Sequence, residues 1–384
     1  MRRRHLIGLG VVGFGAVFMV TLVVVITSRI PHKPPAPRAF DPLSVSFASP
    51  DEGWVLGRLE PCGSIGPECR ALVEHTTDGG HTWRPENWPA LPSAAGFLRF
   101  ATPRDGWVSD GPTLWSTHDA GVTWQKVDFP VLDADDYSGS HLVDMRFSGG
   151  TVEFARSPYG RDEVQVLSSP VSQDKWTMSS SIRTSVNRLL EFATQTAPGA
   201  GSAPPLFTGG GTKFIDGQWS HWTFPCTGPH AAADGILAPT STDIIVLCTS
   251  GPDPEHMTFQ LYVSRDGAVT FDAVGLPPGG GFGLLAAATG DDIVINNNDV
   301  IETSHDGGHE WTQTYVPPPE GHAIMYGRMA IAGDGGPGFI TQTDGFVLAG
   351  KRSGPYQGAD PPQTLLATHD TGRSWAPVRI TDLG

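Results

Sequence analysis

Short runs of alternating apolar and polar residues, separated by Gly, Pro and Asp, recur along most of the chain. Residues 45–47 lead to residues 53–55, and residues 97–100 lead to residues 106–108, each time across a short turn. Weaker versions are 144–147 with 152–154, 236–238 with 244–246, 284–286 with 293–295, and 338–340 with 345–347. A period of two over such short stretches is typical of β-strands. No segment after residue 30 keeps a helical period, since residues 183–194, the nearest approach, are too few. The pattern predicts an all-β fold.

Downstream of these runs the chain repeats a variation on Ser/Thr-x-Asp-x-Gly-x-Thr-Trp. Five copies are well preserved: 76–83 (TTDGGHTW), 117–124 (THDAGVTW), 264–271 (SRDGAVTF), 304–311 (SHDGGHEW) and 368–375 (THDTGRSW). The Asp side chain can accept hydrogen bonds from backbone N–H groups two or three residues later, and Gly supplies a left-handed conformation. The aromatic residue begins the outgoing strand and buries a large apolar surface. Each copy therefore predicts a tight hairpin turn.

The predicted turn-holding residues are structural rather than catalytic. They are Asp78, Gly80, Trp83, Asp119, Gly121, Trp124, Asp266, Phe271, Asp306, Gly308, Trp311, Asp370, Gly372 and Trp375.

The spacing of the repeats predicts the number of units. Asp78 and Asp119 are 41 residues apart, and Asp266 and Asp306 are 40 apart, which suits one four-stranded blade. The 147 residues from Asp119 to Asp266 are too many for one blade, and two degraded copies, 172–176 (SQDKW) and 215–219 (IDGQW), fill the interval. The sequence thus predicts a single seven-bladed β-propeller over residues 43–384. Six or eight blades follow if one degraded copy is false, or if the long last unit hides another.

The repeated turn resembles the Asp-box, or bacterial neuraminidase repeat, of sialidase-superfamily propellers. In those families the motif lies at the outer rim, away from the axial ligand site. The phrase Phe-x-x-x-(Asp)-x-Gly-Trp-Val followed by such a turn also resembles the photosystem II assembly factor propellers, and it covers residues 47–83 and 100–124 well. That second resemblance implies a binding scaffold rather than a catalyst, although a shared fold alone does not establish function.

The N-terminus predicts a membrane anchor. Residues 1–5 begin with Met and three arginines, and an uncharged apolar stretch follows. We expect residues 6–28 to form a transmembrane helix with a cytoplasmic N-terminus. Residues 29–42 then form a Pro-rich tether that leads to the extracellular propeller. A cleaved signal peptide is the alternative, although no Ala-x-Ala site follows the apolar run.

The negative charge of the chain disfavours anionic partners. The formal net charge is −15, and beyond residue 42 it falls to −20 because six of the basic residues and one of the acidic residues precede residue 43. Such a surface disfavours nucleic acid and anionic lipid as main partners. We therefore expect the partner to be an extracytoplasmic protein or glycan, whose identity the sequence does not give.

The four cysteines predict an oxidising compartment. We expect the disulfides Cys62–Cys69 and Cys226–Cys248, because each closes a local loop. A zinc site is the alternative, but neither pair has Cys-x-x-Cys spacing and no His stands at finger spacing. No metal or cofactor is expected.

Several acidic and histidine residues are candidates for a catalytic or metal-binding role, but their positions predict turn residues. The carboxylate candidates are Asp51 with Glu52, Asp105 beside Arg104, and Asp291 with Asp292. The acidic cluster at residues 133–136 lacks the Gly and Glu of an EF-hand loop, so calcium is the minor interpretation there. The histidines in or beside the turns are expected to face solvent: His81, His118, His305, His309 and His369.

An enzyme of sialidase type remains the alternative to a scaffold. Sialidases need three arginines, a Tyr–Glu pair and an acidic Asp, and they carry an Arg-Ile-Pro motif. Residues 29–31 match those letters but precede the first strand pattern. Xyloglucanases need two propellers, whereas this chain has room for one. The sequence favours a membrane-anchored, non-catalytic binding propeller.

Overall fold

The computed structural model of the chain describes residues 39–60, 71–86, 97–109, 113–128, 141–157, 163–183, 190–192, 206–208, 211–215, 217–252, 256–278, 282–297, 300–316, 338–349 and 364–380. The named elements in these segments are antiparallel strands. Sheets 1 to 3 contain β1 (Ala39–Phe47), β2 (Gly53–Glu60), β3 (Ala71–Thr76), β4 (Arg84–Pro85), β5 (Phe97–Phe100), β6 (Gly106–Ser109), β7 (Leu114–Thr117), β8 (Gln125–Lys126), β9 (His141–Ser148), β10 (Thr151–Ser157), β11 (Glu163–Pro170) and β12 (Thr177–Arg183).

The remaining sheets follow the same strand order. Sheets 4 to 7 contain β13 (Leu190–Phe192), β14 (Leu206–Thr208), β15 (Thr212–Ile215), β16 (Gln218–His221), β17 (Ala232–Leu237), β18 (Ile244–Ser250), β19 (Thr258–Ser264), β20 (Asp272–Val274), β21 (Phe282–Ala287), β22 (Ile293–Asn297), β23 (Val300–Ser304), β24 (Thr312–Tyr315), β25 (Gly345–Ala349), β26 (Thr364–Thr368) and β27 (Ala376–Pro377).

The number of complete blades differs from the prediction. The described residues form six four-stranded sheets, not seven, and sheet 7 has three strands. An isolated antiparallel bridge joins Phe339 to Gly345, where residues 338–340 were predicted to be a strand. The residues just before that bridge lie outside the described segments, so no fourth strand is seen.

Apolar side chains pack between each sheet and the next. One cluster joins Trp54 of sheet 1 to Phe100 of sheet 2, and equivalent clusters lie between the following pairs. A further cluster joins Val45 and Trp83 of sheet 1 to Phe346 of sheet 7. The described sheets therefore close into a ring, which is the arrangement of a β-propeller.

Paired Phe and Gly residues explain why the Phe–Gly-Trp-Val pattern recurs. Phe47 pairs with Gly53 at the last register position before the turn, and Phe100 pairs with Gly106 in the same way. A Cβ atom on Gly53 would lie 2.5 Å from the Phe47 ring, and one on Gly106 would lie 2.7 Å from the Phe100 ring. The glycine is thus required because the aromatic ring lies directly over its backbone.

Serine side chains seal the edge between the first strands of sheets 1 and 2. The Ser44 hydroxyl accepts a hydrogen bond from the Leu98 N–H at 3.1 Å, and the Ser46 hydroxyl accepts one from the Phe100 N–H at 2.8 Å. Both serines are buried. They satisfy backbone groups on β5 that its own sheet leaves unpaired.

The start of the first strand also differs from the expected domain boundary. Strand β1 begins at Ala39, so residues 39–42, assigned to the tether from sequence, pair with β2. Pro42 is accommodated because the register shifts between Pro42 and Ser44. Among the described residues no helix is long and apolar enough to cross a membrane. The predicted anchor at residues 6–28 lies outside them.

Candidate functional site

The five preserved aspartate turns lie at one end of the sheets, between the last two strands of sheets 1, 2, 5, 6 and 7. In the first, the Thr76 hydroxyl donates to the Asp78 carboxylate at 2.8 Å and accepts from the Gly80 N–H at 2.9 Å. The Thr82 N–H and hydroxyl donate to the two oxygens of Asp78 at 2.8 and 2.7 Å. The Trp83 indole then donates to the Gly80 carbonyl at 3.0 Å. The carboxylate holds the turn from inside, as the sequence predicts.

The same bonds recur at the other four aspartates. Their carboxylates accept from a preceding hydroxyl at 2.8 Å, and the backbone N–H four residues later donates to them at 2.8–2.9 Å; they are Asp119, Asp266, Asp306 and Asp370. The same hydroxyl accepts a hydrogen bond from a backbone N–H, which belongs to Gly121, Ala268, Gly308 or Gly372. The aromatic residues that follow differ in burial, since Trp375 is buried while Trp124, Phe271 and Trp311 are half-buried.

Each of these turns has two consecutive left-handed residues rather than one. The residue directly after the aspartate also has a positive φ, and Ala120 (φ 62°) and Thr371 (φ 63°) adopt it without being glycine. At the next position four turns have glycine, and the third has Ala268 (φ 67°). The second of these two residues, two positions after the aspartate, packs against a neighbouring sheet in the first and fourth turns. A Cβ on Gly80 would lie 2.5 Å from the Phe346 ring, and one on Gly308 would lie 2.8 Å from Val274.

Hydrogen bonding lowers the pKa of these carboxyl groups. The Thr82 hydroxyl and N–H lower the pKa of Asp78 to about 2. The Thr270 hydroxyl and N–H hold the pKa of Asp266 well below its usual range. An ionised acceptor bound by several donors is stabilised in its charged form. These aspartates therefore stay charged and fixed near neutral pH, which suits a structural role and does not suit an acid catalyst.

A second recurrent turn lies at the same end, between the first and second strands of sheets 2 and 6 and directly before β25 of sheet 7. The sequence predicts these turns but not the side-chain bond that holds them. The Thr102 hydroxyl donates to the Asp105 carboxylate at 2.6 Å, and the Thr289 hydroxyl donates to Asp292 at 2.7 Å. Thr341 and Asp344 repeat the arrangement at 2.6 Å. The Ser/Thr-x-x-Asp spacing is the signal that could have revealed it.

Histidines tie the two kinds of turn together. His369 is exposed, as expected, whereas His118 and His305 are half-buried. Nδ1 of His118 lies 2.8 Å from Asp105, Nδ1 of His305 lies 2.8 Å from Asp292, and Nδ1 of His369 lies 2.8 Å from Asp344. The other two differ: His81 contacts the Asp78 carbonyl at 2.7 Å, and His309 is exposed.

Polar side chains also link neighbouring sheets at this end. Nε2 of His118 lies 3.2 Å from Asp174 of sheet 3, and Ser116 donates to the same carboxylate at 2.5 Å. The degraded copy at Asp174 therefore binds sheet 2, and within its own turn it accepts a hydrogen bond from the Trp176 indole at 3.3 Å. Arg265 of sheet 5 similarly donates to Asp291 of sheet 6 at 2.5 Å. The second degraded aspartate, residue 216, lies outside the described residues.

Most of the carboxylates considered as catalytic candidates thus make hydrogen bonds or ion pairs within the protein. Asp105 and Asp292 hold turns and bind histidines, and Asp291 pairs with Arg265. Glu52 lies 3.3 Å from Nε2 of His75. Asp51 has an exposed side chain. The acidic cluster at residues 133–136 lies outside the described segments, and the described residues contain no group of three or more potential metal ligands.

Three arginines lie in the first two strands of three successive sheets, a feature that the sequence did not reveal. Arg99 and Arg146 are buried, and Arg58 is half-buried. Arg146 is 3% exposed, forms an ion pair with Glu153 on the paired strand and lies over the Phe214 ring. Arg99 donates to the Leu98 carbonyl at 2.9 Å and lies over the Phe97 ring. Arg58 pairs with the buried Asp41 at 3.5 Å. These cations already have partners within the protein.

Glu74 on β3 is a buried carboxyl group without a hydrogen-bond partner. Its side chain is fully buried, and neither oxygen has a bonding partner. Burial, together with the nearby charge of Glu86, raises the pKa of Glu74 to about 7. Glu74 pairs with Val55, which belongs to the apolar cluster between sheets 1 and 7. The group is inaccessible to a substrate.

One of the two predicted disulfides is present in the structure. Cys226 and Cys248 are bonded with their Cα atoms 5.3 Å apart, and they join the connection after sheet 4 to β18. Both belong to the apolar cluster between sheets 4 and 5. Cys62 and Cys69 lie outside the described residues.

Comparison with known proteins identifies the fold alone. The sequence matches no protein-family model and no curated protein. Among solved structures, YCF48 bound to D1 peptide is 16% identical with a TM-score of 0.55, covering 87% of this chain and 94% of that one. The GH74 xyloglucanase from Xanthomonas campestris is 14% identical with a TM-score of 0.50, covering 90% of this chain and 61% of that one. An ancestral GH74 enzyme is 13% identical with the same TM-score, and this chain spans 55% of its length. All three are similar in fold to this β-propeller.

Proposed function

We propose that this protein is a non-catalytic binding propeller that holds a protein, peptide or glycan on one axial face. The observation that carries the proposal is that several charged side chains among the described residues already bind partners within the protein. Asp105 and Asp292 hold turns, and the buried Arg146 and the half-buried Arg58 pair with acids of their own sheets. A glycosidase instead needs two carboxyl groups free to contact substrate about 5–10 Å apart.

The similarity to YCF48 supports this choice to a limited degree. That propeller is seen with a D1 peptide bound, which shows that the fold can hold a peptide. The GH74 enzymes share the fold at comparable similarity, and this chain spans little more than half of their length. The proposal therefore rests on the partners of the charged residues rather than on the comparison.

We further propose the finer features predicted from sequence. The five aspartate turns are Asp-boxes, sheet 7 is a seventh blade, and residues 6–28 anchor the protein in the cell membrane with the propeller outside. The repeated hydrogen bonds around Asp78 and its equivalents support the first of these, and the cluster that joins Phe346 to sheet 1 supports the second. The apolar, uncharged character of the N-terminal stretch supports the third.

Two measurements on the full chain in detergent test the proposal. We expect no hydrolysis of a panel of fluorogenic glycosides, sialosides included, by protein that shows a cooperative thermal transition. Crosslinking in the membrane of the producing cell should then trap a specific partner. Robust turnover that is abolished by substitution of one Asp or Glu would overturn the scaffold and establish a hydrolase.

A further inference from the structure

The outermost strand of sheet 3 differs from the outermost strands of the other sheets. Strand β12 is seven residues long, whereas the equivalent strands in the described sheets have two to four. Two of those short strands contain proline, β4 (Arg84–Pro85) and β27 (Ala376–Pro377). Short length and proline both protect an edge from pairing with another chain. Strand β12 has neither protection.

The sequence and exposure of β12 leave its outer edge open. From Thr177 to Ile182 it carries no charged residue, and Met178 is 47% exposed. The outward N–H and C=O groups of β12 receive no bond from any described part of the chain. The register with β11 shifts at Ser179, so this irregularity divides the edge into residues 177–178 and the longer regular stretch from Ser180 to Arg183.

Contacts on its inner side hold this strand in place. The Trp219 indole of sheet 4 donates to the Ser180 hydroxyl at 2.8 Å, and Ile182 packs in the cluster between sheets 3 and 4. The Ser179 hydroxyl donates to the Val166 carbonyl at 3.0 Å. The edge is thus preorganised, which lowers the entropy lost when a peptide is added to it.

We propose that β12 is a docking edge on which an extended, non-acidic peptide of a partner protein adds as a fifth strand of sheet 3. Main-chain hydrogen bonds supply the affinity in this mode, and side chains on alternate positions supply the specificity. An apolar residue of the peptide lies beside Met178. This surface is on the outer circumference and is separate from the axial face of the proposed function.

Charge and size favour a peptide over a second copy of the chain. The region beyond residue 42 has a net charge of −20, so two copies repel, whereas a neutral or basic peptide is attracted. A stable dimer interface buries roughly 1,200–2,000 Å² in total, more than one exposed strand offers. A single peptide strand needs no larger surface than the edge itself.

A selection from a library of short random peptides, displayed against the full chain in detergent, tests the proposal. Hydrogen exchange of the selected complexes should show protection at residues 177–183. Ser181→Lys places a charge on the exposed edge and should weaken binding about tenfold or more. Thr312→Lys makes the same change on the four-residue β24 and should leave binding unaltered. Both variants should keep the wild-type thermal transition.

Three outcomes overturn the proposal. The first is that no peptide is selected. The second is that the selected peptides protect other residues, or bind Ser181→Lys as well as the wild type. The third is a dimer, seen by sedimentation, that Ser181→Lys dissociates, since it would assign the edge to a second copy.

Discussion

The ring of Phe47 in sheet 1 stacks on the ring of Phe346 in sheet 7, with centroids 4.7 Å apart and planes 20° from parallel. These residues are 299 positions apart in the sequence, yet they belong to one apolar cluster. Trp83 meets the same Phe346 edge-on at 6.5 Å. The closure of the ring therefore depends on apolar packing between the first and last sheets.

Phe346→Ala should destabilise the propeller by about 3–5 kcal/mol, because a fully buried aromatic ring leaves a cavity at the closure. The measurement is the free energy of unfolding from chemical denaturation. Val316→Ala, at a side chain that is 59% exposed, is the control and should have little effect. Equal unfolding midpoints for Phe346→Ala and the wild type would show that this contact does not support closure.

Glu74→Gln should make stability less dependent on pH. The pKa of Glu74 is raised from 4.5 to about 7, so between these values the native state holds a proton that the unfolded chain has lost. Stability must then fall as pH rises through this window and stay low above it. The glutamine variant should lack that fall, which amounts to about 2–3 kcal/mol between pH 4.5 and 8.

The control for Glu74→Gln is Glu310→Gln, which removes an exposed carboxylate from a turn. Denaturation midpoints at several pH values give the comparison. If Glu74→Gln shows the same pH slope as the wild type, the buried carboxyl group is not responsible for it.

Asp78→Asn should weaken the first aspartate turn by about 1 kcal/mol, because it removes the charged acceptor of the Thr82 bonds. The pKa of Asp78 is lowered to about 2, so its contribution is present above the ordinary value of 3.8 and is lost as pH falls toward 2. Acid titrations of stability should therefore be flatter in the variant. Asp51→Asn, at an exposed carboxylate, is the matched control, and an equal loss in both would contradict the assignment.

Replacing Cys226 and Cys248 together with serine should cost about 3 kcal/mol, because their bond closes a loop with a sequence separation of 22. Thermal unfolding in oxidising buffer measures the loss. Reductant should lower the wild-type midpoint more than that of the double variant. An unchanged midpoint in the double variant would show that the packing around the cysteines suffices.

The link between His118 and Asp174 should appear as a coupling of about 0.5–1 kcal/mol in a double-mutant cycle with asparagine at each position. The two side chains join sheets 2 and 3 through a 3.2 Å contact. A parallel cycle pairs His118 with Asp306, which holds a turn in sheet 6, and should be additive. If the first cycle is also additive, the contact between His118 and Asp174 contributes no measurable coupling to stability.

The turn at Asp78 was predictable from sequence because all its partners lie within a few residues of it. Strand pairs such as Phe47 with Gly53 were predictable for the same reason. The contacts of His118 with Asp105 and Asp174 were not, since they join residues 13 and 56 positions apart. Arg146 and Glu153 are close in sequence, but nothing in the pattern distinguishes a buried ion pair from two surface charges. A complete seventh blade is not seen, because the residues directly before Gly338 lie outside the described part of the chain.

The position three residues after each turn aspartate holds His81, Val122, Val269, His309 and Arg373, and all five are exposed. The hydrogen bonds that all five turns share use the hydroxyl residue, the aspartate and the backbone, so they do not depend on this side chain. His81 and Arg373 add a contact to the carbonyl of their own aspartate. The five turns have imidazole, isopropyl and guanidinium groups at this position. One end of the molecule can therefore change its surface chemistry sheet by sheet, by single substitutions, while the framework beneath stays the same.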